Sequence, residues 1–169
     1  MSFTVVVQAH PLEDSYNAAL RAQVLATLSS SAGSTAAPEL ACFRLGQGER
    51  PGPEVLAQAQ RLVLVYPTWS GGLPAALLQW VHDTLDQPRS ISGVTELVAV
   101  TTCGSSRFVN LLQGEWGKRY LKTVLLACCA PGARFRWLAR YKVDRSSRTD
   151  MARHLDVVGR RLTTGPARR

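Results

Sequence analysis

Three short stretches of this chain carry residue types suited to chemistry. His10-Pro11-Leu12-Glu13-Asp14-Ser15-Tyr16-Asn17 offers an imidazole, hydroxyls and a carboxamide. Pro67-Thr68-Trp69-Ser70-Gly71-Gly72-Leu73 sets an indole between two hydroxyls and adds two adjacent glycines. Thr101-Thr102-Cys103-Gly104-Ser105-Ser106 completes the set. Hydroxyls and loop N–H groups are donors for a phosphate, and an aromatic ring in a loop can grip a flat ligand. The glycine-rich fingerprints G-x-G-x-x-G and G-x-x-x-x-G-K-[ST] are absent, which argues against a nucleotide held in those styles. There is no G-x-S-x-G elbow for a nucleophilic serine, no H-E-x-x-H, and no carboxylate cluster at ligand spacing, so no metal is expected. Cys103 has no neighbouring histidine to draw off its proton, and covalent catalysis is not expected from it. His82 and His154 read as surface residues of helices.

Each stretch follows an apolar run too short for a helix. Phe3–Ala9 is β-branched and reads as a first strand, Leu62–Tyr66 as a buried parallel strand, and Thr95–Thr102 as another. Glu39–Leu45 supplies a further strand. Arg134–Val143 alternates, with Phe135, Trp137, Ala139, Tyr141 and Val143 on one side and Arg134, Arg136, Arg140 and Lys142 on the other, as a half-solvated edge strand would. Between these runs the apolar spacing turns helical. The stripes are Tyr16, Leu20, Val24, Leu28; Leu77, Val81, Leu85; Leu121, Val124, Leu125, Cys128; and Met151, Leu155, Val158, Leu162. Ser15 or Asp14 can cap the first helix, Pro74 suits the opening turn of the second, and Ser147-x-x-Asp150 is a capping box for the last. A short helix is expected around Glu54–Gln60. Ser29–Pro38 reads as a flexible small-residue loop, Pro88 closes the central helix, and Trp80 is expected in the core or a subunit interface.

Strands alternating with helices make a doubly wound α/β sheet, and right-handed crossovers favour the parallel five-stranded order 2-1-3-4-5. In that order the first, third and fourth strands lie side by side, and the winding reverses between the first and third. Ligands of open α/β sheets bind beyond the carboxyl ends of the strands at such a switch point. The three stretches are the loops found there, so they are expected to form one site. The first opens a helix, whose dipole and unpaired N–H groups favour an anion. The second can cover a face and edge of an aromatic ring, and the third presents N–H groups to the ring's far edge.

At 169 residues the chain suits one domain, expected over 1–163, with a disordered basic tail at 164–169. Its hydrophobic fraction of 46% is ordinary for a soluble protein. No apolar run approaches the ~20 residues of a membrane span, and the amino terminus lacks a basic leader, so a cytoplasmic protein is expected. Cys42, Cys103, Cys128 and Cys129 show neither a disulfide framework nor paired metal spacing. The net charge of +8 is mostly arginine spread over many elements, with a small cluster at Arg160, Arg161, Arg168 and Arg169. Without a basic run or an aromatic-interleaved basic motif, nucleic acid is not an expected partner.

AHPLEDSYNAAL at 9–20, YPTWSGGLPAALLQWVHDTL at 66–85 and TTCGSS at 101–106 resemble the flavodoxin-like NAD(P)H:quinone oxidoreductases, a family that includes flavin-dependent NAD(P)H reductases. The resemblance follows element order over nearly the whole chain, and the central loop is its most specific part. It implies a flavodoxin-like three-layer sandwich, a tightly bound FMN or FAD, and NADPH or NADH as co-substrate. It also implies a homodimer and hydride transfer to a quinone or similar planar, electron-poor acceptor, with the chemistry on the flavin. By motif position His10, Ser15, Tyr16 and Asn17 would hold the flavin phosphate region. Pro67, Thr68, Trp69 and Ser70 would contact the ring and ribityl chain. Thr102, Cys103 and Gly104 would meet the pyrimidine end, with Ser105 beside them. Departures from the family pattern are Leu78 and Gln79 in place of Lys-Gly, and Thr84 in place of Arg. Cys103 and Ser105 interrupt the fourth-strand loop, and Trp116 stands at a histidine position with no matching tyrosine evident. The alternatives are a non-catalytic flavoprotein electron carrier, a regulatory subunit of another protein, and a flavin-free binding module.

Overall fold

The apolar runs pair edge to edge as β1 (Thr4–Gln8), β2 (Leu40–Arg44), β3 (Arg61–Pro67), β4 (Glu96–Cys103) and β5 (Arg134–Tyr141). In the computed structural model, which describes residues 3–30, 39–87 and 89–163, they form one parallel sheet in the order β2-β1-β3-β4-β5. The expectations for 31–38, Pro88 and 164–169 lie outside the described residues. The helices are α1 (Tyr16–Ser30), α2 (Pro53–Ala57), α3 (Ala75–Leu85), α4 (Arg107–Leu112), α5 (Trp116–Tyr120) and α6 (Arg148–Thr163). None of the helices among the described residues is long and apolar enough to cross a membrane.

The period-2 alternation of each strand divides its side chains between two cores. Val6, Val63, Val65, Val98, Val100 and Leu138 pack under α1 and α6 through Leu20, Val24, Leu28, Val158 and Leu162. Val5, Val7, Leu62, Leu64, Tyr66, Leu97 and Ala99 pack on the opposite face under α3 and the α5 region, through Leu77, Trp80, Val81, Leu121 and Leu125. Strands covered on both faces read as continuous apolar runs, which is why β1, β3 and β4 were the plainest in the sequence. Trp80 is a core residue, almost fully buried.

Four local features differ from expectation. Pro74 has extended ψ (147°) and stands one place ahead of the helix, so α3 begins at Ala75. The helix expected on the stripe Leu121, Val124, Leu125, Cys128 starts earlier, at Trp116, and passes through a π-helical turn (Leu121–Leu125) into a 3₁₀ turn (Leu126–Cys128). α4 was not expected at all. Its buried residue is Asn110, so its apolar side chains trace no inward stripe. Finally, the arginine face of β5 is solvated only at its ends: Arg134 and Lys142 are exposed, while Arg136 and Arg140 are half-buried and Leu138 between them packs in the core under α6. There Glu96, 4% exposed, meets Arg61 at 2.6 Å, Arg136 at 3.4 Å and Arg134 at 4.0 Å, at the amino ends of three neighbouring strands.

Candidate functional site

At the carboxyl edge of the sheet, β1, β3 and β4 end next to one another and their loops meet at Thr102. Thr68 donates both its backbone N–H (2.7 Å) and its hydroxyl (3.0 Å) to the Thr102 carbonyl. Asn17 donates Nδ2–H to the Thr102 hydroxyl oxygen at 3.3 Å. One residue from each of the three stretches thus converges on a single point of the rim.

The first loop is a tight, pre-shaped entry to α1. Leu12 N–H donates to His10 Nδ1 at 3.1 Å, and the Ser15 hydroxyl donates to the Leu12 carbonyl at 2.9 Å. The same Ser15 oxygen accepts the Ala18 N–H at 3.1 Å, which makes Ser15 the cap of α1. Behind the loop, a Cβ on Gly46 would lie 2.6 Å from the His10 carbonyl oxygen, so only glycine lets the 3₁₀ turn Leu45–Gln47 back this closely onto the loop. Glu13 ties the loop to Arg21 (3.0 Å) and Arg44 (2.8 Å). Tyr16 turns its hydroxyl away from the rim. It lies 3.1 Å from the Met151 carbonyl and 2.7 Å from His154 Nδ1. Burial raises the Tyr16 phenol to about 12. His154 is therefore a half-buried interface residue and not a surface one, and burial lowers it to about 4, with Arg140 and Arg161 adding to the effect. Asn17 is buried, and its Oδ1 has no hydrogen-bond partner.

In the second loop Trp69 and Gly72 exchange N–H···O bonds of 3.2 and 2.9 Å. The two residues between them, Ser70 (φ 50°) and Gly71 (φ 76°), are left-handed, as a type I′ turn requires. This turn holds Trp69 outward, 65% exposed. From the other side the Trp116 ring presses on Gly72 so closely that a Cβ there would overlap it.

In the third loop Cys103 is buried, and burial pushes its thiol pKa up. A protonated, enclosed thiol does not act as a nucleophile. Asn110 donates to the Ser105 hydroxyl at 2.6 Å, and Ser106 caps α4 by accepting the Val109 N–H at 3.3 Å.

Sequence inspection missed a second polar group on this rim. Tyr141 donates its hydroxyl to Glu115 Oε1 at 3.0 Å, Lys118 reaches Glu115 Oε2 at 2.8 Å, and the Trp137 indole N–H points at the Tyr141 oxygen at 3.4 Å. Burial pushes the Glu115 carboxyl up, but the hydrogen bonds from Lys118 and Tyr141 outweigh it and hold the group low. Burial raises the Tyr141 phenol and keeps it protonated. The signal was strand register. Tyr141 pairs with Cys103, which places it at the mouth of the third loop.

No protein-family model and no curated protein matches the sequence. Solved structures do. Smu.1420 from Streptococcus mutans superposes with a TM-score of 0.77 at 17% identity, over 95% of this chain and 98% of that one. An NAD(P)H:quinone oxidoreductase from Methanothermobacter marburgensis gives 0.73 at 15%, over 99% and 100%. An FMN-dependent NADH-azoreductase from Bacillus anthracis, solved with FMN, gives 0.73 at 12%, over 97% and 100%. With the sheet order, these define the class. The chain is a flavodoxin-like α/β protein.

Proposed function

We propose that this protein is a flavin-dependent oxidoreductase that takes hydride from NADH or NADPH and passes it to a quinone or another planar, electron-poor acceptor. The observation that carries this is the meeting of the three loops at Thr102, with an uncovered indole beside it. The residues at the rim fit a flavin. Trp69 offers an aromatic surface for a flat ring, and the turn that joins it to Gly72 holds that surface outward. The quinone oxidoreductase and the FMN-dependent azoreductase that share this fold support the same choice of cofactor and donor.

Bound FMN or FAD would supply the hydride-accepting ring; the chain's task is to hold and orient it. His10, Ser15, Tyr16 and Asn17 would frame the phosphate at the start of α1. Tyr16 would do so through its backbone, because its hydroxyl is engaged with α6. Pro67, Thr68, Trp69 and Ser70 would flank the ring and ribityl chain. Thr102, Cys103, Gly104 and Ser105 would meet the pyrimidine edge, where N–H donors offset negative charge on the ring. Tyr141 keeps a proton on its phenolic oxygen, aimed at Glu115, at the same rim.

Phe108, Leu111, Leu112 and Trp116 are all exposed beside this rim, and Leu112 is 72% exposed. An apolar patch of this kind on a folded surface marks a contact face. We assign it to a second copy of the chain in a homodimer.

The deciding experiment is spectroscopic. The purified protein should absorb in the flavin bands, bleach anaerobically with NADPH or NADH, and recover its colour with menadione. Mass spectrometry of the released chromophore separates FMN from FAD. A protein that is colourless and takes up neither cofactor sinks the proposal, while bleaching that needs a separate reductase makes it an electron carrier.

A further inference from the structure

Between the ends of β4 and β5 lies a cleft of about 400 Å³ lined by Gly104, Ser105, Ser106, Val109, Lys142 and Arg145. Its polar side chains are donors. Among the described residues neither Lys142 nor Arg145 has an ion-pair partner, while Ser105 and Ser106 each accept a hydrogen bond and leave their own O–H protons uncommitted. The Asp144 carboxylate packs against Gly104 and offsets part of the charge, leaving two cations to one anion around the cleft.

The turn that carries the cations is fixed. Lys142 has a left-handed backbone (φ 56°), rare for a residue with a side chain, and its N–H donates to the Ser105 carbonyl at 3.0 Å. Ser146 donates its hydroxyl to the Lys142 carbonyl at 3.1 Å and accepts from Arg140 at 3.0 Å. Strain held in place by hydrogen bonds at both ends of a turn is characteristic of ligand clamps. The cleft opens directly off Gly104 and Ser105, the same loop that faces the pyrimidine edge in the proposed flavin site.

We propose that this cleft binds an oxyanion carried by a substrate, with Lys142 and Arg145 as its positioning and selectivity residues. The role rests on the oxidoreductase function proposed above and adds a substrate class to it: a phosphate, sulfonate or carboxylate group on either the nicotinamide donor or the acceptor.

Two measurements test it. The first needs no flavin and no turnover. Inorganic pyrophosphate titrated into the protein should give saturable NMR shifts at the Gly104, Ser105 and Lys142 amides, and the Lys142→Ala/Arg145→Ala double variant should lose them. Shifts that are absent, or that persist in the variant, overturn the site. The second compares matched substrates, NADPH with NADH and sulfonated with plain menadione. Loss of charge-assisted hydrogen bonds in the double variant should raise KM about tenfold more for the member of one pair that carries the additional anionic group than for its partner, or raise it equally for NADH and NADPH where the shared diphosphate is the group held. Selectivity lost between NADPH and NADH assigns the oxyanion to the donor; selectivity lost between the quinones assigns it to the acceptor. If both pairs keep their wild-type ratios and KM for the nicotinamide donors does not rise, the cleft does not serve a substrate. Pyrophosphate binding in a protein that turns over neither pair would keep the anion site and remove the oxidoreductase function.

Discussion

Asn17 and Thr102, one opening a helix and the other closing a strand, meet through their side chains at 3.3 Å. The bond joins the first and third loops of the rim. Thr102→Val removes the acceptor and leaves a buried carboxamide whose Oδ1 is already unpaired. A loss of about 1–3 kcal/mol is expected, the cost of stranding a buried polar group. Denaturant unfolding measures it, and retained flavin per chain should fall in the same variant.

Trp69 is held outward and contributes little to the core. Trp69→Ala should therefore leave the melting temperature within a degree or two while raising the flavin dissociation constant about tenfold, the scale of a lost aromatic stack. Fluorescence of flavin released on dilution reads the change. Unaltered retention would show that the indole is not part of the cofactor site.

Glu96 serves three arginines at the amino edge of the sheet. Glu96→Ala removes the carboxylate they share, and because the arginine side chains reach solvent and Arg136 also donates to the Arg161 carbonyl, a loss of about 1–3 kcal/mol is expected. Glu96→Gln, which keeps the shape but not the charge, should recover only part of it. Chemical denaturation of both variants separates packing from charge.

His154 is neutral in the fold down to about 4 but takes up a proton near 6.5 when unfolded. The unfolded chain thus binds more protons between those values, and stability falls as pH drops from 6.5 towards 4. Because the residue is only half-buried, the loss is discounted to about 1 kcal/mol. His154→Gln should flatten that part of a Tm-against-pH curve. Since Tyr16 lies against His154, acid should loosen the start of α1 first, visible as earlier amide exchange there.

Leu111 and Leu112 are the most outward apolar residues of α4 beside Phe108. Leu112→Glu should shift the protein from dimer to monomer in sedimentation without lowering its melting temperature. A wild-type protein that sediments as a monomer at high concentration would contradict the assigned interface.

The sheet was legible because strands buried on both faces are written in Val and Leu, and α1, α3 and α6 because their stripes repeat at helical spacing. The convergence of the three loops followed from topology alone. What could not be read were features set by tertiary contact. Tyr16 has the look of a ligand donor, yet its hydroxyl serves α6. α4 packs through a single asparagine and so leaves no periodic trace. The Glu115–Tyr141 pair joins residues 26 positions apart and needs the β4–β5 register to be seen. The cations at 142 and 145 were part of a charge excess whose location composition does not encode.

Thr68 fastens the second loop to the third through the main-chain carbonyl of Thr102, an atom that every residue type supplies. Substitution can therefore rewrite what lines the rim while the hinge points of the rim stay put. Chains only 12–17% identical keep this architecture from end to end. A scaffold fastened in this way is well suited to diversification, and libraries that vary positions 69, 105, 142 and 145 should yield folded proteins with altered appetites at high frequency.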